Sequence, residues 1–173
     1  MKILGISGSL RAASLNSLLL RASARLVPDG VTMDVYPSLG TLPLFNPDIE
    51  ATNPAPVAHL RSAMIAADAL IIASPEYAHG ITGVMKNALD WMVSEQALID
   101  KPVALFNAAP NSLYALPALK EIVATMSWRI IESANIEVWV RGSRLDEDDL
   151  VAHPEISTTI RDGLVALKDG VGK

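Results

Sequence analysis

The chain has 173 residues, of which 50% are apolar and 19% charged, a balance typical of one well-packed globular domain spanning residues 1–173. The formal net charge is −5 and the 14 lysines and arginines are scattered, which argues against DNA or RNA as a partner. Because the sequence contains no cysteine, it excludes a disulfide framework, a thiolate nucleophile and a cysteine-based metal site.

Hydrophobic periodicity predicts strands that alternate with helices along the chain. Apolar runs predict five strands, at about residues 2–7, 31–36, 68–73, 103–106 and 136–140. Helical spacing predicts helices at about residues 15–26, 56–67, 83–93 and 116–126, and a last helix from Pro154 to a point before Gly170. The proline-rich stretch 37–56 predicts a connection without long regular elements, and the acidic run 146–149 a solvated turn.

This alternation predicts an α/β fold in which a five-stranded parallel sheet carries helices on both faces, because each parallel connection needs a crossover helix. In open sheets of this kind, ligands bind beyond the carboxyl ends of the strands, where the strand order reverses. The candidate site is therefore formed by the loops after the first, third and fourth strands, at residues 7–17, 74–83 and 107–117.

Other signals limit the metal and membrane chemistry of the chain. His59, His79 and His153 are too far apart in sequence to form a local metal motif, so we expect no metal site. No secretory signal is visible, and no apolar stretch approaches the roughly 18 residues that cross a bilayer. We therefore expect a cytoplasmic protein that does not enter the membrane.

The first loop combines hydroxyl side chains with one arginine just before a predicted helix. Backbone N–H groups at a helix N-terminus bind phosphate well, and Arg11 can add a bidentate contact. The loop carries neither the Walker nor the dinucleotide glycine pattern, which favours a ligand that ends in a phosphate monoester. The alternative is an ordinary turn in which Ser14 or Asn16 only caps the helix and Arg11 is a solvated charge.

The second loop offers a proline turn, an aromatic ring and two glycines, against which a flat heteroaromatic ligand can lie. Tyr77 has the position of a ligand or subunit contact, although it could also pack on the next helix. Glu76 could equally be a surface charge. His79 could donate a proton to a reduced ligand, but a single loop histidine more often has no catalytic role.

Together the two loops resemble the NADPH-dependent FMN reductase family. The resemblance rests on Gly8-Ser9-Leu10-Arg11 with Ser14 and Asn16, and on Pro75-Glu76-Tyr77 with the block Gly83-Val84-Met85-Lys86-Asn87-Ala88-Leu89-Asp90-Trp91. It covers roughly residues 1–133 and implies a flavodoxin-like three-layer sandwich. It also implies that Ser9, Arg11, Ser14 and Asn16 hold the FMN phosphate, and that Pro75, Glu76, Tyr77 and Ala78 border the isoalloxazine ring.

The resemblance further implies a homodimer or homotetramer that is an NAD(P)H-dependent oxidoreductase. NADPH or NADH would reduce bound FMN, which would then reduce a small acceptor such as a quinone, an azo compound, a nitroaromatic compound or free flavin. Since the flavin carries the redox chemistry, no catalytic side chain is assigned. Two alternatives remain open: a non-catalytic FMN electron carrier, and a family member that has lost its flavin.

The sequence departs from the family pattern at three places. Ala78 stands where the family usually has asparagine, and Thr82 where it often has proline. The third loop reads Asn107-Ala108-Ala109-Pro110-Asn111-Ser112 where the family is rich in serine and glycine. Backbone contacts to the ring can survive these changes, whereas side-chain hydrogen bonds from positions 78, 108 and 109 cannot.

Overall fold

A parallel β-sheet forms the centre of the computed structural model, which describes residues 1–109, 113–140 and 145–172. The strands are β1 (Lys2–Ser7), β2 (Thr32–Val35), β3 (Ala69–Ala73), β4 (Pro102–Asn107), β5 (Arg129–Ile130) and β6 (Ile136–Glu137). They pair in parallel in the order β2-β1-β3-β4-β5, and β6 pairs with β4. The predicted α/β fold with a parallel sheet is confirmed.

Helices cover both faces of this sheet. They are α1 (Leu15–Arg25), α2 (Pro47–Glu50), α3 (Ala55–Ala66), α4 (Gly83–Met92), α5 (Ala115–Thr125), α6 (Glu147–Ala152) and α7 (Pro154–Val171), with short 3₁₀ turns at Gln96–Leu98 and Glu132–Ala134. Residues of β3 alternate between two buried clusters: Ile71 packs with α1 and α7, whereas Leu70 and Ile72 pack with α3, α4 and α5. The sheet therefore forms the middle layer of three.

The fifth position of the sheet is divided, whereas the sequence predicts one strand at residues 136–140. β5 pairs with the first residues of β4, and β6 pairs with its last residues, Phe106 and Asn107. Between them, Asn135 Oδ1 accepts a hydrogen bond from Leu105 N at 2.7 Å. A side chain thus replaces part of the strand pairing, which periodicity cannot indicate.

The acidic run at 146–149 is not the solvated turn that the sequence predicts. It begins α6 with a reciprocal capping box, in which Asp146 and Asp149 each accept the other's backbone N–H at 2.9 Å. Glu147 and Asp148 then form ion pairs with Arg21 and Arg25 of α1. These charges attach α6 to α1.

The last helix continues through Gly170, although the sequence predicts that it ends before this residue. A Cβ atom at Gly170 would lie 2.7 Å from Ile131 Cγ2, so the glycine allows the helix to approach the chain after β5. Gly163 has the same role, because its Cβ would lie 2.6 Å from Ile136 Cγ2. Close packing, not a helix end, explains both glycines.

Candidate functional site

The three candidate loops lie side by side, because β1, β3 and β4 are neighbours in the sheet and their carboxyl ends share one edge. The first loop meets the second directly at Gly8. Gly8 N donates to Ala73 O at 2.8 Å, and a Cβ at Gly8 would lie 2.4 Å from Ser74 Oγ. Only glycine allows the two loops to approach this closely.

The first loop presents several hydrogen-bond donors that have no acceptor in the described part of the chain. These donors are the backbone N–H groups of Leu10, Ala12, Ala13, Leu15 and Asn16. Ser9 Oγ accepts from Arg11 N at 3.3 Å, which leaves the hydroxyl proton available. Arg11 is exposed, and its guanidinium pairs with no carboxylate among the described residues. Amides, a hydroxyl and a guanidinium are together the donor set that a phosphate dianion requires.

A cavity of about 300 Å³ opens beside these donors. One wall is the first loop, including Ser9, Arg11 and Ser17, and the opposite wall is the segment after β2. The lining residues are Ser7, Ser9, Leu10, Arg11, Ala12, Ser17, Arg21, Val35, Tyr36, Pro37 and Ser38. The candidate site residues of the second loop, Pro75 to Ala78, do not line this cavity.

Tyr36 is the most informative wall residue that the sequence analysis missed. Its ring is buried and its hydroxyl lies 2.9 Å from His59 Nδ1 of α3. Burial raises the pKa of the Tyr36 phenol, so the wall stays uncharged at neutral pH. The signal that would have found Tyr36 is the strand order, because β2 lies beside β1 and its carboxyl end faces the same edge.

Ser14 and Asn16 have structural partners of their own. Ser14 Oγ accepts from Ser17 N at 3.2 Å and caps α1. Asn16 Oδ1 accepts from Ala108 N at 3.4 Å, which joins α1 to the third loop. Both side chains are buried and neither lines the cavity, so their predicted contacts with a phosphate remain predictions.

The second loop forms a tight hairpin at its tip. Tyr77 N donates to Gly80 O at 3.0 Å and Gly80 N donates to Tyr77 O at 3.1 Å. The two residues between them have positive φ values, 50° at Ala78 and 59° at His79. Tight two-residue turns with positive φ at both central positions favour asparagine, aspartate and glycine. Ala78 is therefore held in an unfavourable backbone conformation.

Replacing Ala78 with asparagine should stabilise the fold by about 0.5–1 kcal/mol, because asparagine tolerates positive φ better than alanine. Urea unfolding of both proteins measures the difference. The matched control is Ala51→Asn, at an exposed alanine with a φ of −65°, where no such gain is expected. An equal change at both positions would contradict the strain at Ala78.

Glu76 connects the second loop to the helix that follows the third loop. Its Oε2 accepts from Tyr114 N at 2.8 Å and from Ala115 N at 2.9 Å. Since the residue at the N-cap of α5 provides no side-chain cap of its own, the carboxylate of Glu76 serves as the cap. His79 lies beside this contact and stacks on the Tyr114 ring at a centroid distance of 4.1 Å.

The described part of the third loop ends at Ala109 and resumes at residue 113, so Pro110, Asn111 and Ser112 lie outside the described residues. Asn107 Oδ1 accepts from Ala109 N at 3.0 Å. Asn107 Nδ2 is buried and has no acceptor among the described residues. A donor of this kind, at the end of β4, adds to the donors that face this edge of the sheet.

Side chains of the block 83–91 attach the proline-rich connection to α4. Asn87 Nδ2 and Trp91 Nε1 both donate to Pro43 O, at 2.9 and 2.8 Å. Asn87 Oδ1 accepts from Phe45 N at 2.7 Å, and the rings of Phe45 and Trp91 meet edge to face. Within the same block, Lys86 forms an ion pair with Asp90, one helical turn further along α4.

Residues 1–109, 113–140 and 145–172 contain neither a candidate membrane span nor a cluster of metal ligands. None of their helices is long and apolar enough to cross a bilayer. No three histidine, aspartate or glutamate side chains lie together as the ligands of a metal ion would.

Comparisons with known proteins agree with the predicted fold and family. The flavoenzyme NAD(P)H:(acceptor) oxidoreductase FerB from Paracoccus denitrificans superposes with a TM-score of 0.85 at 23% identity, over 99% of this chain and 97% of that one. The fold is thus that of a flavodoxin-like α/β protein. The sequence profile of the family described as NADPH-dependent FMN reductase matches residues 1–139. The chain belongs to this family, as the loop motifs predict.

Sequence relatives support this assignment at different coverage. An NAD(P)H:quinone oxidoreductase from Solanum tuberosum is 31% identical over 97% of this chain and 91% of its own length. An NAD(P)H-dependent FMN reductase of Pseudomonas aeruginosa is 43% identical over 112 residues, which are 63% of this chain. That match spans only 60% of the relative's length.

Proposed function

We propose that the protein is an NAD(P)H-dependent oxidoreductase that binds FMN and passes electrons to a small-molecule acceptor. The observation that carries this proposal is the set of unpaired donors in the first loop. Five amides without an acceptor in the described part of the chain, the Ser9 hydroxyl and the Arg11 guanidinium belong to one loop in a chain whose net charge is −5. Residues 9–12 of this loop line a cavity of about 300 Å³. A local excess of donors in an acidic protein favours an anionic ligand at that point.

The phosphate end of FMN would be held by Ser9, Arg11 and the amides of the α1 N-terminus. The amide of Asn16 belongs to this group, although the Ser14 and Asn16 side-chain oxygens already accept other hydrogen bonds. Their predicted roles therefore become indirect in this proposal: Ser14 fixes the first turn of α1 and Asn16 fixes the third loop.

The flavin ring would lie against the second loop. Pro75 and the hairpin from Tyr77 to Gly80 offer backbone groups to the ring. Ala78 retains its N–H and C=O groups, which can form hydrogen bonds with the edge of the ring. Glu76 supports this loop through its cap on α5, so its proposed role is to position the loop.

FMN supplies the redox chemistry when it is bound, and the protein supplies binding, orientation and electrostatics. The first loop holds the anionic end, the second loop presents the ring, and the exposed Tyr77 borders the side from which substrates approach. No side chain is assigned a proton-transfer step. His79 is stacked on Tyr114 at the rim and is not assigned one either.

The relatives' names favour a quinone as the acceptor, since the potato protein is an NAD(P)H:quinone oxidoreductase and an Escherichia coli relative is a quinone reductase. Azo compounds, nitroaromatic compounds and free flavin remain within the proposal. One domain spanning residues 1–173, a dimer or tetramer, and a cytoplasmic location complete it as predictions from the sequence.

The test is titration of the purified protein with FMN, followed by NADPH and NADH oxidation with benzoquinone. We expect one FMN per chain, a shifted flavin spectrum, and ping-pong kinetics because the two substrates use the same open site in turn. A protein that neither binds FMN nor oxidises NAD(P)H would overturn the proposal. FMN binding without direct reduction by NAD(P)H would indicate an electron carrier instead.

A further inference from the structure

Thr82 joins the two loops that we assign to opposite ends of the cofactor. It is the last residue of the second loop and its side chain is buried. Thr82 Oγ1 donates to Gly8 O at 2.6 Å and accepts from Met85 N at 3.3 Å. One hydroxyl therefore caps α4 and also holds the first loop.

The position of this hydrogen bond gives it a role beyond a helix cap. Gly8 N already donates to Ala73 O, the residue where β3 ends and the second loop begins. Gly8 is therefore bonded on both sides of the second loop. Ala73, just before the loop, accepts from the Gly8 N–H, and Thr82, at its end, donates to the Gly8 carbonyl. A movement of the second loop at Thr82 would move Gly8, and with it Ser9 and the donors that follow.

FMN has its phosphate at one end and its ring at the other, so its two binding loops must keep a fixed separation. The distance between the donors near Ser9 and the backbone edge at Tyr77 depends on the contact at Gly8. Without the hydroxyl, Gly8 O would be left buried without this partner, and the first loop would lose its hydrogen bond to Thr82 of the second loop.

We propose that Thr82 is a positioning residue: its hydroxyl, through Gly8 O, sets the phosphate-binding loop against the ring-binding loop. This inference rests on the proposed function. It differs from a simple capping role, because a cap stabilises α4 whatever ligand is present. A positioning role affects ligands that reach both loops more than ligands that reach one.

The experiment compares the dissociation constants of FMN and riboflavin for the wild type, Thr82→Val and Thr82→Ser. Valine keeps the shape and removes the hydroxyl, whereas serine keeps the hydroxyl. We expect Thr82→Val to lower the preference for FMN over riboflavin about tenfold, the loss expected when a buried carbonyl loses its donor. Thr82→Ser should restore the preference to within about twofold.

The matched control is Thr159→Val in α7, which removes a threonine hydroxyl bonded to Glu155 O at 2.9 Å, away from the three candidate loops. It should leave the FMN preference unchanged. If Thr82→Val lowers the unfolding free energy but keeps the wild-type preference, Thr82 is only a cap and the inference is wrong. If the wild type itself binds no FMN, the proposed function is wrong and this inference is wrong with it. The first outcome overturns only the inference, so the two failures can be told apart.

A second measurement covers the case in which Thr82→Val does not fold. In the wild type, inorganic phosphate would contact only the first loop. Because Thr82 joins the loops, we expect phosphate to slow amide hydrogen exchange at Tyr77 and Gly80 of the second loop as well. Slower exchange confined to the first loop would overturn the inference.

Discussion

Replacing Arg11 with alanine should weaken FMN binding about ten- to hundredfold, the loss of a charge-assisted contact worth roughly 1.5–3 kcal/mol. Riboflavin, which lacks the phosphate, should bind nearly as before. The guanidinium is exposed and has no carboxylate partner in the described part of the chain, so the substitution breaks no ion pair of the fold. For the same reason, the Arg11 contribution should fall as salt concentration rises.

Fluorescence titration with both flavins at two salt concentrations measures this effect. Arg25→Ala is the matched control, since Arg25 is also exposed and lies in α1 but pairs with Asp148 outside the cavity lining. Arg11→Lys should lie between the wild type and alanine, because lysine keeps the charge and loses the bidentate fork. Equal losses for FMN and riboflavin would contradict a phosphate contact by Arg11.

The architecture could be predicted from the sequence because its strongest signals are local. The apolar run at β3 is buried along its whole length, as a central parallel strand must be, and the helices follow their periodicity to within one or two residues at most ends. The loops that follow β1, β3 and β4 then meet at one edge by topology alone. Local pattern and sheet geometry are therefore sufficient to predict the fold and the edge of the sheet where the three loops meet.

The details that sequence reasoning missed depend on contacts between distant residues. The cavity wall at Tyr36 directly follows β2, and the pairing of β2 with β1 brings it to the first loop. The role of Glu76 as a cap for α5 joins residues that are 39 positions apart. The helix at 147–152 is stabilised by arginines of α1, which no local pattern around the acidic run reveals.

The motif block 83–91 shows how a resemblance can point to a family without explaining each residue. Asn87 and Trp91 face the proline-rich connection, where they hold Pro43 and Phe45. That connection begins with Pro37 and Ser38, which form part of the cavity wall. A motif far from the phosphate donors therefore supports the site by fixing the segment opposite to them.

Trp91→Ala should lower the unfolding free energy by about 3–5 kcal/mol, the cost of truncating a fully buried aromatic side chain. The substitution removes the ring from the cluster beneath α4 and its edge-to-face contact with Phe45. Trp91→Phe should cost less, because it keeps most of the buried ring and because Asn87 Nδ2 still donates to Pro43 O. Urea unfolding of the three proteins gives the free energies.

The same variants test whether the proline-rich connection supports the cavity. Under conditions where Trp91→Ala remains folded, the segment from Pro37 to Phe45 has lost its hydrogen bond and its ring contact with Trp91, so the wall at Tyr36 and Ser38 should become less fixed. FMN affinity should then fall in Trp91→Ala and change little in Trp91→Phe. If both variants bind FMN like the wild type, the wall is held by β2 and the Tyr36–His59 hydrogen bond alone, and the motif block serves stability without supporting the site.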